Sequence, residues 1–266
     1  MATPSLPSLR ILVTNDDGVH ADGIFALQQA LSRAGHRVTV CAPDRPRSAS
    51  GHSITLHKPL RLAEVALPDG TIAYAGSGTP ADCVTLGVLD VLDNNVDLVV
   101  SGINHGPNLG WDVTYSGTVS AAMEAIIIGV PAVAVSVAAY AENLHFDGAA
   151  NFVATLAGRF ADPKHKLPPA TLLNVNAPDL PENEIKGVRL TTQGDRQYVD
   201  RLEKRHDPLG RPYYWLGGKL HDKEAAPGTD VKAVGEGYIS LTPIHLDLTA
   251  HAFLRDLRSW DLEETR

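Results

Sequence analysis

Two adjacent carboxylates end the first apolar run of the chain. The stretch 9–24 reads LRILVTNDDGVHADGI, and its aliphatic residues stop at Asn15, Asp16, Asp17 and Gly18. Neighbouring side chains of a regular strand point to opposite faces, so the aspartates share a target only if the backbone bends, which Gly18 allows. Two carboxylates with nearby neutral oxygens suit a hard divalent cation such as Mg²⁺, Mn²⁺ or Ca²⁺. The alternative is that the pair caps the next helix or lies solvated in a turn.

A second polar loop, APDRPRSASGHS, follows the apolar run that ends near Ala42. It carries hydroxyl, guanidinium and imidazole groups, at Ser48, Ser50, Arg45, Arg47 and His52. Its hydroxyls are candidate metal ligands or phosphate contacts. A stretch rich in Ser, Pro and Gly is also an ordinary surface turn, and this alternative stays open.

A third loop, SGINHGPNLGWDVTYSGTVSAAMEA, follows the apolar run that ends near Ser101 and is rich in glycine. It contains Asn104 and Asn108 and then begins a helix with Ser116, Gly117 and Thr118. A helix start with free amides and hydroxyls is an anion site. The alternative is an ordinary N-cap by Ser116 or Thr118. No Gly-Lys-Ser/Thr follows, so this is not a Walker A loop, and no GxGxxG follows the first strand.

Regular elements separate these loops. Aliphatic runs at 9–14, 36–43, 96–102, 131–137 and 170–178 predict buried strands, and helices are predicted over 22–34, 79–92, 117–129 and 148–160. Thr79 is the expected N-cap of the second helix, with Pro80 at its first position. This alternation predicts an α/β fold with a mostly parallel sheet and helices on both faces. All three loops then converge on the carboxyl edge of the sheet, where ligands bind in such folds.

Convergence of the loops predicts metal-assisted phosphoester hydrolysis. A cation held by Asp16 and Asp17 would let a phosphate dianion approach an acidic protein, while the helix start at 116–118 holds the other phosphate oxygens. Two rivals remain. A nucleotide-dependent oxidoreductase would need the dinucleotide fingerprint that is missing. A regulator that binds nucleotides without turnover would retain nucleotide and release no phosphate.

Bulk composition limits the other classes of function. The chain has 266 residues, a formal net charge of −8 and scattered basic residues, so a site for duplex nucleic acid is not expected. The start MATPSLPS is no secretory signal, and no run of about 18 apolar residues predicts a membrane span. Cys41 and Cys83 both lie in apolar contexts and are expected to be free and buried. We therefore expect a cytoplasmic protein.

The character of the sequence changes after about residue 180. Runs at 187–194, 196–205, 211–218 and 236–246 predict strands, DPLG at 207–210 predicts a long hairpin, and 251–263 predict a terminal helix. We expect three parts: a disordered extension (1–8), a catalytic core (9–180) and a β-rich segment for contact between subunits (181–266).

Five blocks in this order make the chain similar to the SurE survival-protein nucleotidases: ILVTNDDGVHADGI, APDRPRSASGHSIT, GTPADCV, SGINHGPNLGWDVTYSGTVSAAMEA and EGYISLTPIHLDLTAH. The resemblance implies a Rossmann-like core, one divalent metal ion per subunit (Mg²⁺ or Mn²⁺), and hydrolysis of nucleoside 5′- and 3′-monophosphates. It also implies homodimers or homotetramers with an extended hairpin and an exchanged C-terminal segment. In this tail, Asp247 and His251 are candidates for a structural ion pair at a hinge, the alternative being that either is solvated.

The resemblance assigns roles to eight positions. It implies that the metal ligands are Asp16, Asp17, Ser48 and Asn104. Ser48 is preferred to Ser50 because it directly follows the APDR-x-x frame. The phosphate or active-site roles fall on Asn108, Ser116, Gly117 and Thr118. In the expected mechanism water attacks phosphorus in line, and Asp16 or Asp17 also takes a proton.

Overall fold

The computed structural model describes residues 7–196, 198–199, 202–217, 219–220, 225–260 and 262. Its strands are β1 (Arg10–Thr14), β2 (Arg37–Pro43), β3 (Leu62–Ala66), β4 (Ile72–Gly76), β5 (Leu98–His105), β6 (Ala132–Val137), β7 (Thr171–Ala177), β8 (Val188–Leu190), β9 (Tyr198–Val199), β10 (Leu202–His206), β11 (Pro212–Leu216), β12 (Lys219–Leu220) and β13 (Ile239–His245). Its α-helices are α1 (Asp22–Arg33), α2 (Pro80–Leu86), α3 (Gly117–Ile128), α4 (Asp147–Phe160), α5 (Asp230–Gly235) and α6 (His251–Leu257).

Nine strands form one mixed, mostly parallel sheet in the order β3-β4-β2-β1-β5-β6-β7-β13-β8. The six central strands, β4-β2-β1-β5-β6-β7, are mutually parallel. β3 pairs antiparallel with β4, and β13 pairs antiparallel with β7 but parallel with β8. The strand order steps outward from β1 in both directions, which is the Rossmann-like arrangement expected. The crevice at the carboxyl ends of β1 and β5 is where this topology places a ligand.

Each face of the sheet buries its own core. Ile11 and Val13 of β1 pack into the core that includes α1 and α4, whereas Leu12 packs into the core that includes α2 and α3. This alternation follows from the two-residue period of a strand covered on both faces. Both cysteines are free and buried, as expected.

Local capping signals place the helices. Thr79 caps α2, since its hydroxyl accepts from the Asp82 N–H while the Asp82 carboxylate accepts from the Thr79 N–H. The α-helix predicted over 79–92 is shorter in the structure. α2 ends at Leu86, and a π-helical turn (Gly87–Val91) follows it. The chain at Gly87 lies against the Leu12 side chain, where an added Cβ would be 2.8 Å from both methyl groups.

The C-terminal third contributes to the main sheet. β8 and β13 lie in it, and α5, which the sequence pattern did not indicate, precedes β13. The predicted hairpin is present as β10 and β11, which pair antiparallel around the turn at 207–210. The terminal helix is α6, followed by a 3₁₀ turn (Arg258–Trp260). Residues 1–6 of the predicted extension lie outside the described residues. In the part of the chain that the structure describes, no helix has the length and apolarity needed to cross a membrane.

Candidate active site

The turn after β1 is fixed by its own side chains. Asn15 is buried, donates its amide to the Gly18 carbonyl (3.0 Å) and accepts from the Gly18 N–H (3.1 Å). Gly18 has a φ of +103°, a conformation that L-residues rarely adopt. The alternative role for the aspartates, capping the next helix, does not hold, since no side chain caps α1. The bend leaves Asp16 buried and Asp17 half-buried at the carboxyl edge of the sheet.

Burial disfavours the charged forms of both carboxylates. Burial raises the pKa of Asp16 to about 6, partly offset by the Thr118 hydroxyl that donates to its Oδ1, while the charge of Asp17 raises it further. Burial also raises the pKa of Asp17, against the His105 backbone N–H, which donates to Oδ2 at 2.9 Å. Buried carboxylates with raised pKa values are a common property of functional sites. A cation beside them would favour their charged forms and lower both pKa values.

The second loop is tied to the first by its backbone. The Arg47 N–H donates to the Asp16 carbonyl at 2.7 Å, and the Gly51 N–H donates to the Tyr115 carbonyl at 3.2 Å. Ser48 lines the cavity beside Asp16, whereas Ser50 lies deeper: its Oγ is buried with no hydrogen-bond partner among the described residues. The loop is therefore held over the end of β1, and the structure places Ser48 and Ser50 differently.

The start of α3 packs directly on Asp16. Ser116 is the N-cap, and its Oγ accepts from the Val119 N–H at 3.1 Å. A Cβ added to Gly117 would lie 2.8 Å from Cβ and 2.9 Å from Oδ2 of Asp16, and 3.0 Å from Oγ of Ser50. Only glycine fits this position, so it lets the helix start approach the carboxylate. Thr118 has its hydroxyl on Asp16 and is fully buried behind it.

Two adjoining cavities meet at this edge. One, of about 230 Å³, is lined by several predicted site residues, namely Asp16, Ser48, Asn104, Asn108 and Ser116. The other, of about 340 Å³, is lined by Asp17. His105 lines both cavities and stands between them. The structure thus brings three of the four predicted metal ligands to one cavity and puts the fourth, Asp17, in the neighbouring one. Gly117 and Thr118 contact Asp16 from behind.

A buried polar network that sequence reasoning missed positions Asn108. Its backbone N–H donates to Oδ1 of Asn176 (2.8 Å), and its carbonyl accepts from the amides of Asn174 (2.9 Å) and Asn176 (3.1 Å). Its own amide nitrogen donates to the Ser136 hydroxyl at 2.7 Å. The available signal was the alternation of Asn174 and Asn176 in the otherwise apolar β7, because buried amides need partners.

A second missed residue, Asp230 at the start of α5, holds the same loop from the C-terminal third. Its buried carboxylate accepts from the backbone N–H groups of Gly110 (2.9 Å), Gly194 (2.8 Å) and Val231 (2.7 Å). Nearby, Arg196 forms an ion pair with Asp112, which lines the cavity. The loop that carries Asn108 is therefore fixed from both directions along the chain.

The four predicted metal ligands offer a cation only oxygen atoms. Among the described residues no group of three or more His, Cys, Asp and Glu side chains could hold a metal ion. The candidate set instead combines two carboxylates with the Ser48 hydroxyl and the Asn104 amide. Asn104 donates its amide nitrogen to the Gly106 carbonyl at 2.8 Å, which leaves its carbonyl oxygen as the group to offer a cation. Such a set fits Mg²⁺ or Mn²⁺ rather than zinc.

Comparison with known proteins gives consistent matches over nearly the whole chain. A family model described as "Survival protein SurE" matches residues 11–200. The chain is 52% identical over 258 residues to 5′-nucleotidase SurE of Geobacter sulfurreducens, covering 97% of this chain and 96% of that protein. It is 51% identical to 5′-nucleotidase SurE of Moorella thermoacetica, covering 94% and 95%. A crystal structure of the SurE protein from Aquifex aeolicus superposes with a TM-score of 0.82 at 43% identity, covering 95% and 99%.

Proposed function

Because this chain belongs to the SurE survival-protein family, we propose that it is a nucleotidase that hydrolyses nucleoside 5′- and 3′-monophosphates to nucleoside and phosphate. The relatives named above as 5′-nucleotidases support the activity on 5′-monophosphates. The observation that carries the proposal is the cavity at the carboxyl edge of the sheet, where Asp16, Ser48 and Asn104 face the start of α3. Activity on 3′-monophosphates is part of the same proposal and rests on the family motifs.

Asp16, Asp17, Ser48 and Asn104 are the residues proposed to hold one divalent ion, Mg²⁺ or Mn²⁺. Asp16 and Asp17 are adjacent in the bend that precedes Gly18. Each lines one of the two cavities, and His105 lines both. When bound, the ion would polarise a phosphoryl oxygen and lower the pKa of a coordinated water. The buried carboxylate of Asp16 and the half-buried carboxylate of Asp17 give the fit its physical reason, since without a cation their like charges oppose each other.

The start of α3 and Asn108 are proposed to bind the phosphate. The Val119 N–H of the first turn of α3 already donates to Ser116 Oγ, and the positive end of the helix dipole favours an anion here. The Asn108 amide lines the same cavity and is paired with the Ser136 hydroxyl. The oxygen and nitrogen of an Asn amide have nearly the same shape, so the group can also lie rotated by 180°. In that orientation its oxygen accepts from the Ser136 hydroxyl and its NH₂ group donates to the phosphate.

Proton transfer is assigned to the aspartate pair. The attacking water loses a proton as it adds to phosphorus, and Asp16 and Asp17, which each line one of the two cavities, are proposed to accept it. The Thr118 hydroxyl orients Asp16, and the His105 N–H orients Asp17. The leaving nucleoside oxygen takes up a proton in exchange, so the products are the nucleoside and inorganic phosphate.

Phosphate release from a panel of 5′- and 3′-nucleoside monophosphates tests this function. The purified protein is assayed with Mn²⁺, with Mg²⁺ and after EDTA treatment, beside Asp16→Asn. The matched control is Asp90→Asn, an exposed aspartate on the π-helical turn. We expect release that needs metal, collapses in Asp16→Asn and persists in Asp90→Asn. Absence of release with every metal from folded protein would refute the enzyme and favour a nucleotide-binding regulator.

A second copy of this chain is the proposed partner of the C-terminal third. The hairpin and the tail expose large apolar side chains, namely Leu202, Leu209, Tyr213, Tyr214, Trp215 and Leu216 on the hairpin and Leu248, Phe253, Leu254, Trp260 and Leu262 on the tail. Exposed apolar surface of this extent marks an interface. The expected ion pair at the start of the tail is present, with His251 Nε2 2.7 Å from Asp247 Oδ2.

Light scattering tests the assembly. We expect a mass of two or four times the 28.4 kDa chain, reduced when Trp215 and Leu216 are both replaced by Ser. A monomer for the unmodified chain would contradict the proposal. We also propose a cytoplasmic location, the reducing compartment in which two free buried cysteines persist. Subcellular fractionation checks this location.

A further inference from the structure

Two exposed tyrosines, Tyr115 and Tyr140, line the cavity that contains Asp16, Ser48 and Asn104. The side chain of Tyr140 is 73% exposed and that of Tyr115 is 60% exposed. The phosphate and metal chemistry described above uses neither of them. A large aromatic side chain left in water beside a ligand cavity loses the stabilisation that burial would give, so both rings offer apolar surface to whatever enters the cavity.

Each tyrosine has defined contacts beside the cavity. Tyr140 lies in the loop between β6 and α4, and a Cβ added to Gly106 would lie 2.6 Å from its Cε1, so the ring lies directly over the Gly106 backbone. Tyr115 directly precedes the Ser116 cap; its N–H donates to the Asp112 carbonyl (3.0 Å) and its carbonyl accepts from the Gly51 N–H (3.2 Å). One tyrosine therefore adjoins the proposed phosphate end of the cavity, and the other covers the loop after β5.

We propose that Tyr140 and Tyr115 form the platform on which the base of the nucleotide stacks. The inference rests on the proposed function, since it concerns the same cavity and adds the group that selects nucleotides over other phosphate esters. The two rings line the same cavity as the proposed phosphate site at the start of α3. The nucleoside of a nucleotide whose phosphate is bound there would therefore extend along the wall formed by the two rings. Stacking on tyrosine requires only the flat face that every base has.

This mode of binding predicts a particular selectivity. A stacking platform does not read the hydrogen-bonding edge of a base, so adenine and guanine nucleotides are expected to be used similarly. Purines cover more of an aromatic ring than pyrimidines do, so they are expected to be preferred. Ribose 5-phosphate, which has no base, is expected to be a poor substrate whose kcat/KM does not depend on Tyr140.

The test compares AMP with ribose 5-phosphate in Tyr140→Ala, Tyr140→Phe and the unmodified chain. The control is Trp111→Ala, another exposed aromatic residue (61%) close to the site but outside the cavity lining. We expect Tyr140→Ala to lower kcat/KM for AMP about tenfold, chiefly through KM, and to leave ribose 5-phosphate unchanged. Tyr140→Phe, which keeps the ring, and the Trp111→Ala control are expected to behave like the unmodified chain with both substrates.

Equal losses for AMP and ribose 5-phosphate in Tyr140→Ala would overturn the proposal, since they would mean that Tyr140 only supports the Gly106 loop. An unchanged KM for AMP would overturn it too. Titration calorimetry of AMP and ribose 5-phosphate separates this result from failure of the proposed function. If no phosphate is released, a selective loss of AMP binding in Tyr140→Ala still supports the platform, and equal binding of AMP by both proteins refutes it.

Discussion

Replacement of Gly117 by Ala should lower the activity strongly and the free energy of unfolding only modestly. The added Cβ would lie 2.8 and 2.9 Å from the Cβ and Oδ2 atoms of Asp16, where ordinary contact begins at 3.4 Å, so the Asp16 carboxylate must move by about half an ångström. Ser50 Oγ, at 3.0 Å, blocks the other direction. Misplacement of about 1 Å at a reacting centre can cost roughly 100-fold in rate. We therefore expect kcat/KM for AMP to fall about 10- to 100-fold.

The effect of Gly117→Ala on stability should be small. Alanine gains up to about 1 kcal/mol over glycine in a helix, and overpacking costs about 1–3 kcal/mol. The free energy of unfolding should thus fall by at most about 3 kcal/mol, or roughly 10 degrees in Tm. The matched control is Gly235→Ala in α5, where nothing lies within 4 Å of the added Cβ.

Steady-state kinetics and thermal unfolding of both alanine variants decide the matter. Wild-type kcat/KM in Gly117→Ala would refute the reasoning, because it would mean that Asp16 can move without consequence or does not take part. A fall of the same size in Gly235→Ala would show that the loss is not specific to the site.

Three further substitutions test the supports of the site. Asp230→Ala leaves two buried N–H groups and one part-buried N–H group without an acceptor and should lower the free energy of unfolding by about 3 kcal/mol in urea titration, with Asp230→Asn losing less; equal stability would contradict this. Asn176→Ala removes the acceptor of the Asn108 N–H and should cost about 2–3 kcal/mol together with nucleotidase activity, whereas activity that survives intact would show that the network is dispensable. Burial raises the pKa of Asp82, but hydrogen bonds from Thr55 and from the N-cap of α2 outweigh it and leave this pKa below the ordinary value. Ionised Asp82 therefore stabilises the fold above about pH 4, and this contribution disappears as the pH falls. Urea unfolding of Asp82→Asn between pH 4 and 2 should show a weaker dependence on pH than the unmodified chain, and parallel curves would refute it.

Several elements are predictable from signals that lie close together in the sequence. The aliphatic run of β1, the Thr79 cap of α2 and the Ser116 cap of α3 depend on residues a few positions apart, so they were predictable. The bend at Gly18 was equally local, because it follows from one glycine and the Asn15 side chain. The convergence of the three loops followed from the rule that parallel strands share one carboxyl edge.

Contacts between residues far apart in the chain are visible only in the folded structure. The antiparallel pairing of β13 with β7, which extends the sheet across residue 180, is a contact between segments more than 60 residues apart. Asp230 reaches Gly110 across 120 residues, and no periodicity signals such a hydrogen bond. Asp17 falls in a different cavity from Asp16 because the backbone bends between them and His105 intervenes. Spacing along the chain fixes which loop a side chain belongs to, but the direction in which it points depends on the packing of the whole sheet edge.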